Sequence, residues 1–154
     1  MQFGFYSETY QPAVNQAVGD FVSRLIFGED GQFSRFCTLA IADDRQLVAG
    51  VVYHNYQPPE GVIEVSCASI HRKWMSRDII RTAISMPFDV LGCQAVFARH
   101  SEANKEARRF WKALGASEHV IPRLRGRDEP AECVAVLPQE VWAESRFNKT
   151  KVEV

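Results

Sequence analysis

The sequence predicts a single α/β domain, on three observations. Strand-period and helix-period stretches alternate along 154 residues, three consecutive strand-like runs form a meander near the middle, and no composition shift or linker divides the chain. Apolar residues make up 46% and charged residues 24%, enough for a packed core, which excludes disordered, collagen-like and low-complexity classes. No apolar run approaches the roughly 20 residues that span a bilayer. The start, MQFGFYSETY, lacks a basic segment followed by an apolar one. A soluble cytoplasmic protein with no membrane partner is the expectation.

Gln2 to Tyr6 alternates apolar and polar residues and reads as a strand. A helix should follow, capped by Ser7 or Thr9, with Pro12 in its first turn and Val14, Val18, Phe21 and Leu25 as the buried stripe before Gly28. Cys37 to Ala42 and Leu47 to Tyr56 read as a hairpin joined by Asp43 to Gln46, and the turn Pro58 to Gly61 leads to a third strand, Val62 to Ile70. Ser76 opens a helical stretch to Leu91, with Ile80, Ile84, Phe88 and Leu91 on one face, and Pro87 should kink it. Gln94 to Arg99 reads as a strand. Ser101 or Glu102 should start the next helix, which carries Ala107, Phe110, Trp111 and Leu114 and stops at Gly115. Ser117 to Ile121 and Glu132 to Leu137 close the domain as two strands, so that it spans 1–147 and leaves 148–154 as a frayed tail.

Net charge is only −1, yet it is uneven: His71 to Arg127 carries 12 Lys/Arg against 5 Asp/Glu, a balance of +7, and the remainder carries −8. A basic middle segment suits an anionic partner such as a phosphorylated cofactor or nucleic acid, although solvated helix faces would look the same. Cys37, Cys67, Cys93 and Cys133, like the four histidines, are scattered without metal-ligand spacing. Buried free thiols and no metal site are therefore expected.

The order of elements, together with two segments, resembles the GNAT superfamily of acyl-CoA-dependent N-acyltransferases. Asn104 to Ala116, NKEARRFWKALGA, is similar to that family's Asn-x-x-Ala-x-x-Phe-Tyr-x-x-Leu-Gly-Phe motif at Asn104, Ala107, Phe110, Leu114 and Gly115. More narrowly, the chain resembles small acetyltransferase-like proteins of tailed phages and prophages. The resemblance implies the GNAT fold, a mixed and mostly antiparallel sheet of six to seven strands with helices on both faces. It also implies acetyl-CoA in the cleft between the fourth and fifth strands.

Asn104 would meet a pantetheine amide, with the small Ala107 leaving room one turn later and Trp111 following on the same helix, unless Asn104 simply satisfies its own helix start. The second segment, Ser69 to Asp78 (SIHRKWMSRD), stands where the family has a Gly-rich phosphate loop. It has no glycine. Ser69, Ile70, Arg72, Lys73, Ser76 and Arg77 would instead hold the phosphates through charged side chains and the helix start.

Glu64 is the candidate base, as the sole charged residue of VIEVSCASI, where burial would raise its pKa; a solvent-facing position in the strand's alternation is the other reading. The family's usual tyrosine acid is replaced by Trp111, whose indole can only donate a hydrogen bond. Tyr53, His54, Tyr56 and His100 are the substitutes at hand, and Arg123, Arg125 and Arg127 in the last hairpin could recognise an acidic group on the acceptor. The expected reaction is acetyl transfer to a primary amine of a small molecule or protein. A GNAT-fold binding protein using its basic surface for a protein or nucleic acid is the alternative, and an acyltransferase acting on a modified nucleotide the third reading. A strand-edge homodimer would be in keeping with the fold.

Overall fold

The computed structural model describes residues 1–149; of the tail expected at 148–154, residues 150–154 lie outside the described residues. Seven strands form one sheet in the order β1-β2-β3-β4-β5-β7-β6: β1 (Gln2–Tyr6), β2 (Phe36–Asp43), β3 (Gln46–Gln57), β4 (Val62–Ser69), β5 (Ala95–Ser101), β6 (Ser117–Ile121) and β7 (Glu132–Pro138). The helices are α1 (Pro12–Phe27), α2 (Arg77–Ser85), α3 (Lys105–Ala113) and a short α4 (Gln139–Ala143). The contacts of the described residues gather into two compact units, Met1–Tyr56 with Val65–Ala83, and Gln57–Glu64 with the described residues from Ile84 onward. The chain passes from one unit to the other at the last residue of β3, inside β4 and inside α2. No linker marks the division, so composition could not reveal it.

In the first unit β1, β2 and β3 are antiparallel neighbours, with Phe5 opposite Leu39 and Thr38 opposite Val52. The hairpin turns on Asp44 and Arg45, both at positive φ (50° and 66°), as a two-residue loop matching right-handed strand twist requires. Arg45 bears a steric cost there that glycine avoids. Arg45→Gly is expected to stabilise the protein by about 0.5–1 kcal/mol, read as a rise of about 1–4 °C in Tm; a fall would show that the Arg45 side chain contributes more than its backbone costs.

Helix α1 buries Asn15, Val18, Gly19, Val22 and Ser23, a stripe rotated from the expected one, which leaves Leu25 exposed. The rotation has a polar cause. Asn15 donates to the Phe36 carbonyl (3.0 Å) and accepts from Thr38 Oγ1 (2.9 Å), and Ser23 donates to the Glu29 carbonyl (2.6 Å). These small polar residues are buried because each has a partner, Asn15 on β2 and Ser23 in the loop that follows α1. The first turn is not capped by Ser7 or Thr9: Gln11 stands at the N-cap in a left-handed conformation without a side-chain cap, and Ser7 Oγ accepts instead from the Thr9 and Tyr10 amides. Close approach of α1 to the sheet depends on Gly50, where a Cβ would lie 2.7 Å from Val22 Cγ2 and 2.9 Å from Val18 Cγ1.

Helix α2 gives way at Met86–Val90 to a π-helical turn, with Leu91 N–H donating to the Met86 carbonyl (3.3 Å). Pro87, inside that turn, supplies the cause, since it has no N–H for the α ladder. Its absence is felt one turn earlier: the Ala83 carbonyl, the acceptor that residue 87 would serve in an α-helix, takes the Tyr53 hydroxyl at 2.7 Å.

In the second unit β4 pairs parallel with β5 over Val62–Glu64, and β5, β7 and β6 form an antiparallel set. Helix α3 begins later than expected, at Lys105 with Asn104 as its N-cap, because Ser101 still belongs to β5. It ends as Gly115 suggested: Gly115 takes φ 93°, its N–H donates to the Lys112 carbonyl and the Ala116 N–H to the Trp111 carbonyl. Helix α4 had no sequence expectation.

Candidate functional site

In the first unit, the loop from Ser69 to Ser76 is organised by its own polar groups. Ser69 Oγ accepts from the His71 amide (2.8 Å) and donates to the His71 carbonyl (2.7 Å), while His71 Nδ1 accepts from the Lys73 amide (3.2 Å). The Ile70 amide donates to the Val48 carbonyl (2.9 Å), although the Ile70 side chain is exposed. These bonds occupy amides that a glycine-rich loop would leave pointing at a phosphate. What the loop presents is charge: Arg72, Lys73 and Arg77 are exposed, and Trp74, buried beneath them, anchors the segment. Ser76 caps α2 by accepting from the Ile79 amide (3.2 Å), and the helix start adds its positive end.

Two β3 residues expected near an acceptor separate. Tyr53 is 1% exposed, its hydroxyl committed to Ala83, and burial holds its pKa well above the ordinary tyrosine value. It stands as a core strut. His54 sits half-buried, with Nε2 2.8 Å from Ser66 Oγ and its ring edge-on to Phe33.

In the second unit Glu64 is buried at 6% exposure, at the last register pair of β4 with β5, opposite Phe97. The solvent-facing reading of this position is thereby removed. Asn104 is exposed, and its Oδ1 accepts from the Ala107 amide (3.1 Å), so the helix-start role is real. That bond uses only the oxygen, and the Nδ2 protons remain as donors. Trp111 is 5% exposed and packs edge-on against Phe110, with ring centroids 5.3 Å apart.

The last hairpin is partly committed to its own structure. Glu132, 3% exposed, is held by Arg99 Nη2 and Arg125 Nη1, each at 3.2 Å. Arg125 is therefore an internal partner of Glu132, whereas Arg123 and Arg127 are exposed and make no hydrogen bond or ion pair among the described residues.

Sequence spacing missed a cluster on the other face of these strands. His100 lies opposite Cys133, and Glu118 pairs with Ala135 two residues along β7, so that alternation brings all three to one face. Arg108 of α3 meets both carboxylate oxygens of Glu118 (2.7 and 3.2 Å) and holds its pKa below the usual glutamate value. Burial lowers the His100 pKa and raises that of Cys133, which leaves a neutral imidazole beside a neutral thiol at neutral pH. Such a pair is neither a ready proton donor nor an activated nucleophile. The signal available in the sequence was ECVAVLP, a strand with a charged residue and a thiol at its otherwise apolar start.

No family model matches this sequence, and no characterised relative does. Solved structures do. A spermidine N-acetyltransferase variant from Vibrio cholerae aligns over 94% of this chain and 98% of its own, with a TM-score of 0.68 at 11% identity. The dodecameric form of the V. cholerae enzyme aligns over 71% of this chain and 68% of its own (TM-score 0.62, 14% identity). A protein from T. thermophilus put forward as an acetyltransferase aligns over 80% and 66% (TM-score 0.60, 19% identity). The chain spans only 63% of the length of another such protein it matches. Identities this low establish the fold: this is the mixed, mostly antiparallel α/β architecture of the GNAT-type acetyltransferases.

Proposed function

We propose that this protein is an acetyl-CoA-dependent N-acetyltransferase acting on a primary amine. The observation that carries the reading is the acetyltransferase fold, matched along 94% of the chain to an enzyme that acetylates spermidine. The residues present fit the cofactor by charge. In the first unit Arg72, Lys73 and Arg77, beside the capped start of α2, would take the phosphates, in a loop whose amides at Ile70, His71 and Lys73 are already used. Asn104, in the second unit, would offer Nδ2 to a pantetheine carbonyl while Oδ1 keeps α3 capped.

When bound, acetyl-CoA supplies a thioester open to attack by a neutral amine. Glu64, buried and carboxylate-bearing, would accept the amine's proton. No acid is supplied from Trp111, Tyr53 or His100: an indole, a hydroxyl bonded to a helix carbonyl and a neutral imidazole have no proton to give near neutral pH. Arg123 and Arg127 are the exposed cations left for an acidic feature of the acceptor. Self-association through an open edge strand fits the same reading, since Phe3 and Phe5 of β1 are 45% and 38% exposed. The narrower likeness to phage-encoded proteins rests on the sequence alone. No helix among the described residues is long and apolar enough to cross a membrane.

Acetyl-CoA at about a hundred times its Kd should raise Tm by about 5–10 °C, and the Arg72→Ala/Lys73→Ala double variant should show about half that rise, the effect of a tenfold weaker Kd. Thiol release measured over a panel of amines should accompany it. A rise without thiol release would favour the binding-protein reading, for which the indole at position 111 already argues. No rise with either acetyl-CoA or CoA would overturn both the cofactor and the enzyme.

A further inference from the structure

We propose that His100, Glu118 and Cys133 form a binding site for a divalent transition-metal ion of the zinc class. The donor atoms of the three side chains lie within 4.8 Å of one another. Tetrahedral zinc, with bonds of about 2.0–2.3 Å, sets its ligands about 3.5 Å apart, so side-chain rotation closes the remaining distance without moving the strands. The framework is rigid, because all three residues stand on paired strands, β5, β7 and β6.

A second observation points to a ligand. His100 is 8% exposed, and its Nε2 is buried with no hydrogen-bond partner among the described residues. A buried imidazole nitrogen without a partner costs free energy that a native fold rarely leaves uncompensated, and a metal ion is the partner an imidazole lone pair takes best.

The donor set selects the ion. One nitrogen, one sulfur and one carboxylate oxygen suit zinc and its neighbours and are wrong for magnesium or calcium, which require oxygen ligands. On binding, the Cys133 sulfur forms the metal bond and its proton is released to solvent. Thiolate and carboxylate together then balance the charge of a divalent ion. Arg108 holds Glu118 from the α3 side and donates also to the Glu102 carbonyl (3.1 Å), so it orients the carboxylate as outer-shell partners of metal ligands do. Three protein ligands leave a fourth position for water, the arrangement of an open site. The site does not depend on acetyltransferase activity.

The experiment uses the full chain, freed of metal with a chelator and titrated with Co²⁺ and Zn²⁺. One equivalent of Co²⁺ should produce a thiolate-to-cobalt charge-transfer band together with tetrahedral d–d bands. Zn²⁺ should displace it and raise Tm. His100→Gln and Cys133→Ser should weaken binding by at least the 10- to 100-fold typical of losing even an outer-shell partner. Because Cys133 is fully buried and its variant could unfold, Glu118→Gln, at an exposed position, is the control that must fold by circular dichroism and also lose affinity. Cys37→Ser should bind like the parent. Absence of the charge-transfer band, or equal Zn²⁺ affinity in the parent and in folded Glu118→Gln and His100→Gln, would overturn the proposal.

Discussion

Glu64→Gln should lower kcat/KM for amine acetylation by about 10²–10⁴-fold, the range that a positioned general base contributes, while leaving the rise in Tm with acetyl-CoA intact. The substitution conserves shape in a position 6% exposed and removes only the capacity to take up a proton. Since no other residue in the expected set combines burial with a carboxylate, loss of the base has no obvious replacement. Steady-state kinetics on an amine that the parent accepts, paired with the thermal shift, separates chemistry from binding. Unchanged turnover would remove Glu64 from the mechanism, and loss of the cofactor-induced shift would make it a structural residue instead.

Gly50→Val is the substitution expected to damage stability most. A Cβ at Gly50 already falls 2.7 Å from Val22 Cγ2 and 2.9 Å from Val18 Cγ1, and both valines have stiff χ1 torsions because they are β-branched residues in a helix. The helix must lift or a rotamer must break. We expect a loss of about 3 kcal/mol or more, a fall of about 6–12 °C in Tm, with Gly50→Ala intermediate. Trimming the obstruction with Val22→Ala should restore part of the loss in the Gly50→Ala background. A Gly50→Val protein melting within a degree of the parent would mean that α1 is not packed on β3 at this distance.

How far the fold was legible depended on the range of the interactions concerned. β1 could be read to the residue, and a hairpin turn within Asp43 to Gln46 and the Gly115 helix stop followed from local chemistry, although the turn proper is only Asp44–Arg45. The buried face of α1 could not, because it is built from Asn15, Gly19 and Ser23, whose suitability comes from partners at Phe36, Thr38 and Glu29. The candidate site divides the same way. The apolar strand around Glu64 left burial and solvent exposure both open until the structure chose burial, whereas capping by Asn104 was legible from its place at a helix start. That Arg125 belongs to Glu132, and that His100 meets Cys133, are facts of strand register, and no spacing along the chain encodes them.

The bond from Tyr53 to Ala83 bears on how this chain could have changed over time. Proline at position 87 withdraws a donor from the Ala83 carbonyl, and the phenol of Tyr53 provides one from thirty positions earlier in the chain. The defect lies on one side: a proline without the phenol strands an acceptor, whereas a phenol without the proline shares a carbonyl whose second lone pair takes the helical amide. The two positions are therefore epistatic. Lineages that lose Pro87 should lose their constraint on Tyr53, and a phenylalanine at 53 should be tolerated only where residue 87 can again donate.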